Sequence, residues 1–171
     1  MRSGPCREKT EVMPAASPQF GAPDLGVAYR DRPAAFGVAE REDGMIALVR
    51  VTPPGAAWLD LPGGALDPGE GDEQALVREF GEETGLIVRP GPRVTRASQY
   101  FRLNDGEPVN NRCAVFQALV GGFDPALKIE DDHELVWMKP REAAEQVRHD
   151  AHAWAILHWL RARLDRPAGR D

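Results

Sequence analysis

Only two cysteines occur among the 171 residues, Cys6 and Cys113. They lie far apart and in no metal-ligand spacing, which argues against a disulfide scaffold and against a zinc site. No apolar run reaches membrane-spanning length, so no membrane partnership is expected. The first ten residues carry Arg2, Arg7 and Lys9 with no apolar region behind them, unlike a signal peptide. A cytoplasmic protein is therefore expected. An excess of positive charge is missing too: the formal net charge is −6 and the pI about 5.3. Proteins that live on nucleic-acid phosphates usually show a basic face, so long DNA or RNA is not an expected partner. Small anionic ligands stay open, because a bound divalent cation reverses the local field. The remaining composition is ordinary, 42% hydrophobic and 28% charged, enough for one domain with one real core.

What the sequence does hold is concentrated in residues 64–86, which read as loop, helix, loop. Gly71 is an acceptable N-cap, Asp72 and Glu73 suit the positive end of the helix dipole, and Gln74 can reach back to the cap. Gly85 suits a left-handed C-terminal residue. Leu76, Val77 and Phe80 form an apolar stripe facing a core. Glu79, Glu82 and Glu83 crowd one face of the same helix at spacings that make neighbours. Such a row calls for a cation, and a hard divalent ion with oxygen ligands, Mg²⁺ above all, is the natural one. Arg78 is placed to orient Glu82 or to reach Glu70. A bare Glu-Glu pair would otherwise read as a solvated acidic face.

The pattern Gly64-x5-Glu70-x7-Arg78-Glu79-Phe80-x-Glu82-Glu83-x-Gly85-Leu86 resembles the signature of the Nudix hydrolases, with every fixed letter present. Seven fixed letters at roughly 7% each make a chance match on the order of 10⁻⁸ at any one position, so coincidence is set aside. Leu61-Pro62-Gly63 resembles the family's lead-in, and Phe80 is bulkier than the usual residue there. The resemblance implies hydrolysis of a nucleoside diphosphate linked to another group, a small nucleotide-type substrate. It implies Mg²⁺, or Mn²⁺, held by Glu79, Glu82 and Glu83, with Glu70 and the Gly63 carbonyl in support. It also implies a carboxylate base, Glu79 first and Glu130 as the alternative. Residues 130–134, Glu-Asp-Asp-His-Glu, read by themselves as a charged surface loop. Similar enzymes often place a further carboxylate at such a point, which makes Glu130 the first candidate and Asp131 the second. Two rival classes are a binding or regulatory module, which should show a damaged box, and an isomerase using a Cys–Glu pair, for which only Cys113 is available. The Pro and Tyr marks of the ADP-ribose and dinucleoside-polyphosphate specialists are both missing after the box.

Around the box the chain reads as an α+β domain over residues 26–165, a mixed sheet sandwiched between helices, as the resemblance also implies. Residues 1–25 are poor in large apolar side chains and read as a mobile segment that Phe20 and Leu25 could pin; 166–171 read as a tail. Strands are predicted at 34–39 and 46–51, paired across the Asp43-Gly44 turn, and at 58–61. Further strands are predicted at 86–89, broken by Pro90-Gly91-Pro92, and at 94–103, 112–120 and 134–138. Helices are predicted from Pro140 to about 148 and over 151–164. Trp58 and Tyr100 flank the box on strands and are candidates for stacking on a nucleobase, with core packing as the other reading. His133 is open to a reading as a pH-tuned base, but a loop His is more often just solvated, and that is the expectation here. His149, His152, His158, Trp154 and Trp159 read as packing or surface residues.

Overall fold

The computed structural model describes residues 17–165. Among them eight strands and three helices follow in order. These are β1 (Gln19–Phe20), β2 (Arg30–Ala39), β3 (Ile46–Val51), β4 (Trp58–Asp60), β5 (Gly63–Ala65), α1 (Asp72–Thr84), β6 (Leu86–Arg102), β7 (Pro108–Phe123), β8 (His133–Met138), α2 (Pro140–Gln146) and α3 (Asp150–Leu164). The strands form two sheets, β1-β6-β7-β2-β5 and β4-β3-β8. The larger is mixed: β1–β6 and β2–β7 run parallel, β6–β7 and β2–β5 antiparallel. No helix among the described residues is long and apolar enough to cross a membrane.

Side chains alternate across a strand, and β2 uses both of its faces. Ala34, Phe36 and Val38 join one core with Ala155, Ile156 and Trp159 of α3. Ala35 and Ala39 join another with Ala75, Leu76 and Phe80 of α1. The α+β reading, sheet between helices, holds; the expected single sheet is divided in two. The expected hairpin is not formed either. The turn at Asp43-Gly44 is present, but only the Glu40–Ile46 bridge links its arms. Instead β2 pairs over ten residues with β7, a longer ladder than the six residues of β3 can offer. The expected break at Pro90 is a bulge inside one continuous β6, with register shifts between Pro90 and Thr95. Proline cannot donate to the ladder, and the bulge leaves Gly91 and Pro92 without partners just after Pro90.

Within α1, Gln74 accepts the Gly71 N–H at 2.9 Å, and Gly85 closes the helix at φ 74°. Val77, expected in the apolar stripe, is 41% exposed. It lies about 100° round the helix from Leu76, outside the face that Leu76 and Phe80 share. Of the segment expected to be mobile, residues 1–16, like the tail 166–171, lie outside the described residues. Gln19–Phe20 pairs with Ser98 and Gln99, and the Phe20 ring lies 6.4 Å from that of Trp154. Leu25 pins nothing; it is fully exposed.

Candidate active site

Glu79, Glu82 and Glu130 bring carboxylate oxygens within 4.8 Å of one another, and ligand atoms of Glu83, Glu130 and His133 do the same. Glu130 belongs to both groups. Its loop reaches the helix because the last carbonyls of α1 lack intrahelical donors. The Glu82 carbonyl accepts N–H bonds from both Ile129 and Glu130, at 3.0 and 3.2 Å. Glu83 is 5% exposed and accepts the Gly63 N–H at 2.8 Å. Gly63 has φ +135°, and a Cβ there would meet the Ala35 carbonyl at 2.2 Å. A Cβ on Gly64 would meet the Glu79 carboxylate at 2.6 Å. Gly63 therefore admits only glycine, whereas a side chain at Gly64 would push the Glu79 carboxylate out of place.

Two cations sit in the acidic group. Arg78 donates to Glu70, Glu79 and Glu82 at 2.8–2.9 Å and to the Ala65 carbonyl at 3.0 Å. These carboxylates raise its pKa, and its hydrogen bonds hold that of Glu70 down. His133 is not the solvated residue expected. Its ring lies 3.4 Å from Glu83, 3.0 Å from Glu130 and 2.9 Å from Asp132. Burial alone would lower its pKa, but these carboxylates bring it up to about 9. Burial raises Glu79, and raises Glu83 well above the usual carboxylate range. Six carboxylates thus face two cations. Oxygen donors with surplus negative charge fit a hard divalent ion. Glu70 stands apart from the converging groups, since Arg78 engages both its oxygens.

A second polar group lies beside the first. Trp58 and Asp60 alternate on β4 and so share a face. Arg148 places its guanidinium carbon 4.2 Å from the Trp58 ring centroid and 5.9 Å from that of Phe101. It also donates to Asp60 at 2.8 Å. The Phe101 ring meets His149 at 4.5 Å. His152 is 1% exposed, and its Nδ1 accepts the Leu61 N–H at 3.4 Å. Two buried nitrogens here have no hydrogen-bond partner, Trp58 Nε1 and His152 Nε2, and Asp60 Oδ1 has only the His152 Nδ1, 3.3 Å away, that already faces Leu61. Each such atom costs about 1–3 kcal/mol. Tyr100 is not brought to Trp58. It packs edge-on against Tyr29 at 5.1 Å, while strand alternation turns Phe101 to the Arg148 side.

The family model of the NUDIX domain matches residues 30–160. The chain belongs to the Nudix family. A curated relative, the ADP-ribose pyrophosphatase of Methanocaldococcus jannaschii, is 33% identical over 98 residues, 56% of this chain and 54% of the relative. The match thus spans about half of that relative's length. The CTP pyrophosphohydrolase of Escherichia coli is 29% identical over 133 residues, 77% of this chain and 93% of the relative. A NUDIX hydrolase structure from Nitrosomonas europaea superposes with a TM-score of 0.66 at 24% identity, covering 78% of this chain and 90% of that one. That likeness concerns the Nudix fold.

For the Nudix site, the structure brings together Glu79, Glu82, Glu83, Glu130 and Arg78, and leaves Asp131 exposed outside both groups. Cys113, the thiol an isomerase would need, is 2% exposed. Burial pushes it up to about 12, and its hydrogen-bond neighbour is Asn111. Asp60, Phe101, Arg148 and His152 were not anticipated as a group. Alternation in Trp58-Leu59-Asp60, a ring and a carboxylate on one strand face just before the Nudix box, was the available signal.

His149 supplies a pH prediction. Burial, then His152, lowers its pKa to about 3, with Arg148 and Arg32 adding to the fall and Asp60 opposing it. Between about pH 3 and 6.5 the unfolded chain therefore binds the extra proton. Stability should drop as pH is lowered through that window, by about 1.4 kcal/mol per unit. Urea unfolding at pH 6.5 and 4.5 should show a loss about 2–3 kcal/mol larger in the wild type than in His149→Leu. Parallel losses in the two proteins would contradict this assignment.

Proposed function

We propose that this chain is a Nudix pyrophosphohydrolase that uses Mg²⁺, with Mn²⁺ as a substitute, on a small nucleotide. The observation that carries the reading is the pair of overlapping groups, Glu79–Glu82–Glu130 and Glu83–Glu130–His133, that share Glu130 and hold more carboxylates than cations. Glu79, Glu82, Glu83 and Glu130 would hold the metal, with the Gly63 carbonyl as a further donor. A divalent ion there neutralises pyrophosphate charge and lowers the pKa of water. Glu79 is the first choice of base, because burial raises its affinity for the proton it must accept; Glu130 is the second. Arg78 keeps the row aligned, with Glu70 as its anchor. A regulatory module with a damaged box is disfavoured by the intact one, and an isomerase by the inert Cys113.

The test is a nucleotide panel with Mg²⁺ that includes ADP-ribose and CTP, the substrates in the relatives' names, scored for phosphate and pyrophosphate release. Release from no member of the panel would sink the reading. Within an active enzyme, Glu130→Gln should lower the maximal rate about 10²- to 10⁴-fold, the usual weight of a general base, and leave the melting temperature in place. Asp131→Asn should do far less. Small and equal effects would return residues 130–134 to plain charged surface.

A further inference from the structure

Arg148 lies in a place shaped for something else. Its flat guanidinium sits against the rings of Trp58 and Phe101, with the Asp60 carboxylate at its edge. Aromatic faces plus an edge-on acceptor are what a planar, donor-bearing heterocycle requires. The fit to Arg148 is incomplete. Only Oδ2 of Asp60 receives a hydrogen bond from it; Oδ1 faces His152 Nδ1 at 3.3 Å, while Trp58 Nε1 and His152 Nε2 have no partner. Asp60 is 7% exposed and His152 1% exposed, so these are built groups and not surface residues. The Arg148 side chain is 32% exposed and has a way out to solvent. Its backbone is held separately, by the N–H bond to the Leu59 carbonyl at 2.8 Å. The side chain can therefore leave while the chain stays.

The position relative to the carboxylates is set by register. Trp58 and His133 both pair with Val51, from opposite sides of β3. Directly paired residues share a sheet face, and two strand spacings separate these two by about 10 Å. His133 touches Glu83 and Glu130. A base beside Trp58 would thus lie one nucleotide's length from the acidic group.

We propose that Trp58, Phe101 and Asp60 form the slot for the substrate's base, that Arg148 plugs it in the free protein, and that it prefers a base with two adjacent N–H donors. This rests on the pyrophosphohydrolase reading only for the identity of the ligand as a nucleotide. A guanidinium offers parallel N–H donors to a carboxylate. Guanine offers the same fork through its ring N–H and its exocyclic amino group. Cytosine and adenine set a ring lone pair beside their amino group, and uracil sets carbonyl oxygens beside its N–H. Each of these turns a lone pair toward one oxygen of Asp60.

The experiment is calorimetric titration of GMP, CMP, AMP and UMP into the metal-free protein. GMP should bind about tenfold or more tighter than the others, the usual discrimination of one bidentate pair. Arg148→Ala should tighten GMP about tenfold, because a self-occupied site lowers apparent affinity. Asp60→Asn should weaken GMP about 10- to 100-fold and erase the preference. Equal affinities for the four would overturn the donor-pair assignment, and weaker GMP binding by Arg148→Ala would overturn the plug. The wild-type panel and Arg148→Ala decide the matter even where Asp60→Asn does not fold. Neither metal nor turnover enters, so failure here leaves the hydrolase reading standing. Normal GMP binding with no hydrolysis of any nucleotide would sink that reading and spare the slot.

Discussion

Replacing Glu82 with glutamine is expected to stop turnover while leaving the fold intact. Glu82 is half-buried at the centre of the acidic row and shares Arg78 with Glu79 and Glu70. Its loss removes one ion pair to Arg78 and one source of repulsion. Ion pairs this close to the surface contribute about 0–1 kcal/mol, so metal-free stability should move by less than about 1 kcal/mol. Activity should fall more than about 100-fold, since even residues that only orient metal ligands cost 10- to 100-fold. An amide is a poor donor to a hard cation. Metal should raise the wild-type melting temperature, because a ligand that binds only the folded state stabilises it, and that rise should shrink in the variant. Full Mg²⁺-dependent activity with an undiminished melting shift would remove Glu82 from the site.

Phe80→Ala should fail in the opposite way. Phe80 is among the largest side chains with no exposure at all. It fills the core shared with Leu76, Ala35 and Phe116, against the bare Cα of Gly37. Truncation removes transfer energy and leaves a cavity that the sheet cannot close, for about 3–5 kcal/mol. Val77→Ala, one turn position away but on the exposed side, should stay within about 0.5 kcal/mol. Denaturant unfolding of the two variants measures both. A loss below about 1 kcal/mol for Phe80→Ala would mean that this core is not what seats the helix. Metal should restore part of the stability of Phe80→Ala and little of its midpoint deficit relative to wild type, since the site itself is untouched.

The box helix was legible because its determinants are local. Gly71, Gln74 and Gly85 act on residues within one turn, and the glutamate row is a matter of helical spacing. Strand partners were less legible. Nothing within residues 34–51 announces that 34–39 prefers a strand some eighty positions later. The bulge after Pro90 explains a second miss. It shifts the pairing of everything downstream on β6, and so decides whether Tyr100 or Phe101 turns toward Arg148. The slot was hidden for the same reason. Its members come from β4, β6, the turn before α3 and α3 itself, and no spacing in the sequence joins them. His133 was misjudged because Glu83, far away in the sequence, reaches it only through the fold.

The two main-chain bonds from Ile129 and Glu130 to the Glu82 carbonyl divide the changes this loop can accept. They are made by backbone atoms, so they survive replacement of any side chain nearby other than by proline. Residues 128–132 can therefore drift in sequence, trading charge or bulk, with Glu130 still delivered to the same point. They do not survive a change in length. One inserted or deleted residue would put a different N–H opposite that carbonyl and carry the carboxylate away from the helix. Among relatives or designed variants, tolerance of substitution and intolerance of insertion should meet at this one short segment.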